Sequence, residues 1–126
     1  MAGKPETPEG FHTVTPRIVV EDAARFVAFL EQVFRATGGF QAAAPSQIRI
    51  GDSLLLVSAS GEREAFPAFL YVYVEDADAT VRRALDAGAT SLEAVWDTPY
   101  GDRRGMVKDP WGNVWQVATR PARDRS

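Results

Sequence analysis

The chain contains no cysteine, which excludes disulfides, a thiolate nucleophile and any cysteine-ligated zinc or iron–sulfur centre. It has one histidine, His12, so a multi-histidine metal site cannot be assembled. Positive charge is not in excess: 14 Lys and Arg stand against 17 Asp and Glu, and neither half is basic. A surface that displaces counterions from nucleic acid needs a concentrated cationic stripe. The only cluster of that kind is Arg120, Arg123 and Arg125, which reads as a solvated tail. No stretch approaches the roughly 20 apolar residues of a membrane span, and the first ten residues lack a signal-peptide core. Neither G-x-x-x-x-G-K-[ST] nor G-x-G-x-x-G occurs, so nucleotide cofactors have no visible cradle. The expectation is a cytoplasmic protein with neither nucleic-acid nor membrane partners.

What is present is the balance of one globular domain: 126 residues, 45% apolar and 25% charged. Residues 1–10, rich in Pro, Glu and Gly, read as a mobile arm. Val14 to Val20 is β-branched and strand-like, with Pro16 marking an edge or strand end. Ala23, Phe26, Val27, Leu30, Val33 and Phe34 then recur at helical spacing, which predicts a helix over about 22–36, capped by Asp22 and ended by Gly38-Gly39. Gln47–Ile50 and Leu54–Val57 read as strands joined at Gly51-Asp52. Phe69–Val74 is a further strand, and Ala77, Val81, Ala84 and Leu85 mark a second helix ending at Gly88. Thr90–Trp96, Arg104–Lys108 and Val114–Thr119 complete the strands, the last two separated by the turn Asp109-Pro110-Trp111-Gly112-Asn113.

The order repeats. Val20-Glu21-Asp22-Ala23 returns as Val74-Glu75-Asp76-Ala77, each copy spanning the last strand residue and the helix cap, at an offset of 54 residues. The carboxylates at these helix starts read as caps and dipole partners rather than as acid–base pairs. Two modules, 11–60 and 66–119, are too small to bury a good core alone and should pack as one domain, followed by the tail 120–126.

A duplicated βαβββ module of this kind resembles the vicinal oxygen chelate superfamily of glyoxalase I, extradiol dioxygenases and bleomycin-resistance proteins. The likeness rests on Thr15–Ala24, Ile48–Ser53, Leu70–Ala79 and Tyr100–Gly105, and most specifically on Asp109-Pro110-Trp111-Gly112-Asn113 opening the last strand. It implies an α+β fold of two tandem βαβββ modules whose curved mixed sheet encloses a U-shaped cleft, commonly in a dimer. Metal-dependent members carry ligands at four strand positions, which map onto Thr15, Gln47, Phe69 and Gln116. A hydroxyl, two amides and a phenyl ring do not meet the demand of a divalent transition ion for about three strong donors. The resemblance therefore implies a site with no metal or other cofactor, and His12 is expected on an exposed arm.

Strand side chains alternate between faces, so the same mapping fixes a parity. Thr15, Arg17, Val19, Gln47, Arg49, Phe69, Tyr71, Tyr73, Val114, Gln116 and Ala118 face the cleft. The opposite set, Ile18, Val20, Ile48, Ile50, Leu70, Val72, Val74, Trp115 and Val117, is apolar throughout and suits a face covered by helices. Rings and guanidinium planes favour flat conjugated ligands. The expected ligand-binding set is Thr15, Arg17, Gln47, Arg49, Phe69, Tyr71, Tyr73 and Gln116, extended by Trp96, Tyr100 and Met106 near the mouth. Trp111 reads as a packing or dimer residue. No catalytic residue is assigned. The resulting expectation is a homodimeric binder that sequesters an aromatic antibiotic or other natural product. The alternatives are a metal-independent lyase, isomerase or cyclase using Tyr71 or Tyr73 as acid beside an arginine, and a carrier or regulator without a small-molecule role.

Overall fold

The computed structural model describes Gly3 and residues 5–122; Arg123 and Arg125 of the expected tail lie outside them. Nine elements follow one another: β1 (Arg17–Val20), α1 (Ala23–Phe34), β2 (Ser46–Ile50), β3 (Ser53–Ala59), β4 (Phe69–Tyr73), α2 (Ala77–Asp86), β5 (Thr90–Asp97), β6 (Arg103–Lys108) and β7 (Val114–Thr119). They form two mixed sheets, of order β1-β3-β2 and β4-β7-β6-β5. In each sheet the first strand runs parallel to the last strand of its half, with Arg17 opposite Leu56 and Tyr71 opposite Gln116. That last strand is antiparallel to its predecessor in both sheets. The repeat seen in the sequence is thus a repeat of topology.

The halves differ in one strand. The counterpart of β5 in the first half is a single bridge, Thr37 to Arg49. Gly38, at φ 116°, passes so close to β2 that a Cβ would collide with the Gln47 carbonyl oxygen, and the run to Pro45 forms no further ladder. β1 is also shorter than expected. Pro16 lends only its carbonyl, which accepts from the Leu56 N–H at 2.9 Å, and the ladder begins at Arg17.

Asp22 and Asp76 both cap helices, accepting from the backbone N–H groups of Arg25 and Ala79. α1 stops earlier than its glycine pair suggested, because Arg35 takes the left-handed conformation (φ 59°) and the Ala36 N–H closes back on the Leu30 carbonyl.

α1 buries Phe26, Leu30 and Val33 completely. It also reaches into the second half, where Trp111 presents its ring edge-on to Phe26 and Phe29 at centroid distances of 5.1 and 5.7 Å, and Phe34 lies 4.8 Å from Trp115. Trp111 is therefore a packing residue joining the halves. Its turn is organised by the buried Asp109 carboxylate, which accepts from the N–H groups of Trp111 and Asn113, the Asn113 amide and the Trp115 indole. Asn113 in turn accepts the Ala68 N–H at 2.8 Å, fixing the start of β4.

Candidate functional site

The alternation predicted from sequence holds. Of the set predicted to lie under the helices, Ile18, Val20, Ile48, Trp115 and Val117 are buried and Ile50, Leu70, Val72 and Val74 are partly buried, and α2 packs on their side of the second sheet, where Val81 lies against Gly105. The other face is open. On the second sheet Tyr71, Gln116, Met106 and Glu93 form one cross-strand row and Tyr73, Ala118, Arg104 and Trp96 the next. Phe69, opposite Val114, begins the row before them. Ala118, expected toward the cleft, is on that face yet wholly buried, since Tyr73 and Arg104 flank it on neighbouring strands.

Seven of the sequence-derived site residues therefore belong to the second sheet: Phe69, Tyr71, Tyr73, Met106 and Gln116 on this face, Trp96 on β5 and Tyr100 in the β5–β6 turn. The other four, Thr15, Arg17, Gln47 and Arg49, belong to the first half. Arg17 lines a cavity of about 250 Å³ with the 40–45 segment, whereas Tyr71 lines one of about 290 Å³ together with Pro16, Ile50, Ser53 and Leu55 of the first half. Internal symmetry also corrects one assignment. Gln116 faces Tyr71 as Leu56 faces Arg17, so Leu56 is its counterpart, and Gln47, opposite Leu56, corresponds to Met106.

Sequence reasoning missed the polar groups that hold the rings. Asp102, only 2% exposed, accepts the hydroxyl protons of Tyr71 at 2.6 Å and Tyr73 at 2.9 Å through Oδ2, and the Arg120 Nε–H at 2.7 Å through Oδ1. Arg120, expected in a solvated tail, is thereby part of the site. The two tyrosine rings lie 5.3 Å apart. Beyond them Glu93 accepts from the Trp96 indole at 2.7 Å and from Arg104 at 3.0 Å, while Arg104 also bonds the Tyr100 hydroxyl and stacks over its ring. Glu93 and Trp96, three residues apart, would sit on opposite faces of a regular strand. A register shift between them in β5 brings both to the open face. A signal for Asp102 and Arg104 did exist: both are even steps from Met106, which pairs with Gln116.

The electrostatics follow from these bonds. Desolvation, then the Asp102 carboxylate, pushes the Tyr71 hydroxyl up to about 12. Tyr73 is also raised, chiefly by its bond to Asp102. Asp102 is held below the usual carboxylate range by Tyr71 first and then by Arg120 and Tyr73, and Glu93 is lowered by Trp96 and Arg104. All four groups move away from neutrality, the reverse of what proton transfer near pH 7 requires. The face is built for fixed hydrogen bonds around exposed rings.

A divalent metal does not fit the donors available. With Leu56 in the place of Gln47, the mapped set is a hydroxyl, an aliphatic chain, a phenyl ring and one amide. His12 is exposed, and among the described residues no three His, Asp or Glu side chains converge.

Comparison with known proteins places the chain in a family. The uncharacterized protein Mb0911c of Mycobacterium bovis is 31% identical over 133 residues, spanning 88% of this chain and 84% of that one. Among solved structures, TioX from Micromonospora sp. ML1 superposes with a TM-score of 0.68 at 21% identity, covering 86% of this chain and 99% of its own. The fosfomycin resistance protein FosX of Listeria monocytogenes, solved in complex with Mn(II) and sulfate, gives 0.70 at 12% identity, with 87% and 90% covered. Residues 10–117 match the family described as Glyoxalase/Bleomycin resistance protein/Dioxygenase superfamily. With most of its length matched, and with the duplicated mixed sheets that the sequence repeat foretold, the chain belongs to the glyoxalase/bleomycin resistance protein/dioxygenase superfamily.

Proposed function

We propose that this chain is a metal-independent, cytoplasmic small-molecule-binding protein that sequesters a hydrophobic or planar aromatic natural product, such as an antibiotic, and works as a homodimer. The observation that carries this reading is the open face of the second sheet. Its rings are exposed, Tyr71 by 39% and Tyr73 by 58%, while every titrating group that orients them is shifted away from neutrality. Such a face offers stacking and fixed polar contacts rather than proton transfer. Protection then works by mass action, with tight stoichiometric binding in place of turnover.

The dimer is proposed from exposed apolar surface: Val14, Phe66 and Phe69 are 79%, 76% and 66% exposed, and a second copy would cover them.

The test is titration with a panel of planar aromatic antibiotics, read by quenching of Trp96, together with native mass spectrometry. Saturable one-per-site binding to a dimer, with the compound recovered chemically unchanged, is the expected result. Multiple turnover of a bound compound would instead support the lyase, isomerase or cyclase alternative.

A further inference from the structure

The rings on the open face of the second sheet have spent most of their polar hydrogens inside the protein. The Tyr71 and Tyr73 hydroxyls both donate to Asp102 Oδ2, and the Trp96 indole N–H donates to Glu93 Oε1. The cations are committed as well. Arg104 donates through Nη2 to Glu93 and through Nη1 to the Tyr100 hydroxyl, and its Nε, which has no partner among the described residues, is buried and so out of a ligand's reach. Arg120 meets Asp102 and the Tyr100 carbonyl, and opens together with Glu75 into a separate cavity beside Tyr73. An acceptor, by contrast, is left over. Glu93 takes both of its bonds on Oε1, while Oε2 has no partner among the described residues and is not buried. An ionised carboxylate accepts about four bonds, so roughly half of its capacity is open. Those two bonds hold Glu93 below the usual carboxylate range and keep it charged at neutral pH. Its side chain is 32% exposed against 13% for Arg104, so the anion of this pair is the accessible member. Glu93 ends the row that runs from Tyr71 through Gln116 and Met106, and β4 and β5 stand three strand spacings apart, roughly 14 Å. A flat molecule of two or three rings spans that row.

We propose that the aromatic ligand is cationic, an amine or amidine whose protonated nitrogen is held by Glu93 Oε2 beside the Trp96 ring. This rests on the ring-binding role proposed for the second sheet and adds the ligand's charge. A protonated nitrogen supplies the donors that the face has spent, and its bond to a carboxylate is charge-assisted, roughly twice as strong as one between neutral groups. It also lies against an indole, the best ring partner for a cation. A carboxylate on the ligand would meet Glu93 instead, with both nearby guanidinium groups already paired.

The probes are 2-naphthylmethylamine, 2-naphthylmethanol and 2-naphthoate, which share a ring and carry positive, no and negative charge, titrated into the full chain by calorimetry at neutral pH. The amine should bind about tenfold more tightly than the alcohol, the equivalent of one good charge-assisted bond, with naphthoate weakest, and added salt should narrow the spread. Glu93→Gln keeps an acceptor oxygen but no charge, so it should bring the amine down to the alcohol and, by freeing Arg104 of its counter-charge, raise naphthoate. Asp86→Asn removes an equal charge from α2, behind the sheet, and should leave the ranking as it is. The ranking is read on the parent chain, so the test stands even where the Glu93 variant fails to fold. An alcohol or naphthoate that binds as tightly as the amine in the parent chain would overturn the assignment. So would an amine preference that survives Glu93→Gln, or one that Asp86→Asn removes equally, which would trace it to net charge. Failure of all three probes to bind would instead count against the ring-binding role itself.

Discussion

Replacing Asp109 tests the link between the most family-specific sequence segment and the site. Its buried carboxylate accepts from the Asn113 backbone and side chain, the Trp111 N–H and the Trp115 indole, and Asn113 and Trp115 are themselves buried. Asp109→Ala leaves the Asn113 N–H, the Asn113 amide and the Trp115 indole without an acceptor, at about 1–3 kcal/mol each. Removing a buried charge offsets part of that cost. A net loss of about 3–5 kcal/mol is expected, a large share of the roughly 5–15 kcal/mol that holds a domain together. With a urea slope of about 2 kcal/mol per molar, the unfolding midpoint should fall by about 2 M. Asp109→Asn keeps one acceptor oxygen but turns an NH2 toward two donors, so it should cost about 2–3 kcal/mol. Because Asn113 also holds the Ala68 N–H at the start of β4, both variants should weaken ring binding at Tyr71 as well as stability. Urea denaturation followed by tryptophan fluorescence measures the first effect. A loss below about 1 kcal/mol for the alanine variant would refute the assignment of Asp109 as the organiser of this turn.

Three further outcomes are expected. Arg35→Gly should stabilise the protein by about 1 kcal/mol, visible as a rise in Tm of a few degrees, since a left-handed cap without a side-chain penalty replaces one at φ 59°. Tyrosinate absorbance during alkaline titration should show Tyr71 and Tyr73 ionising late, and Asp102→Asn should bring both down while leaving the part of the Tyr71 shift that desolvation causes. The raised Tyr71 hydroxyl contributes stability that is complete below pH 10 and disappears as pH rises through about 12, whereas the lowered Asp102 contributes stability that disappears as acid protonates it. Trp96→Phe should remove most ligand-dependent quenching, because Trp111 and Trp115 pack against α1 while Trp96 is 44% exposed.

Local periodicity was enough to locate the helices, most strands and the two-faced character of the sheets. The apolar side at Ile18, Ile48, Trp115 and Val117 could be read because alternation is a property of each strand by itself. Boundaries set by a single backbone conformation could not: α1 ends at Arg35, a residue with no general preference for the left-handed region. The first-half counterpart of β5 was lost to the Gly38 and Pro45 surroundings, which composition flags only as a loop. The rings could be placed on the open face because strand parity fixes the direction of Tyr71 and Tyr73. Asp102, Glu93 and Arg120 were missed because the value of an isolated charge depends on which distant groups the sheet brings to it. Glu93 was hidden further by the irregularity in β5, which breaks the alternation from which its direction would have been inferred.

The clasp of Trp111 between Phe26 and Phe29 has a consequence for how the duplicated halves hold together. The covalent joint, Gly61 to Ala65, is exposed and polar, whereas the noncovalent joint is aromatic and passes through α1. A protease cut between Gly61 and Glu64 should therefore yield a nicked molecule whose fragments co-elute, and the separately expressed fragments should reconstitute when mixed.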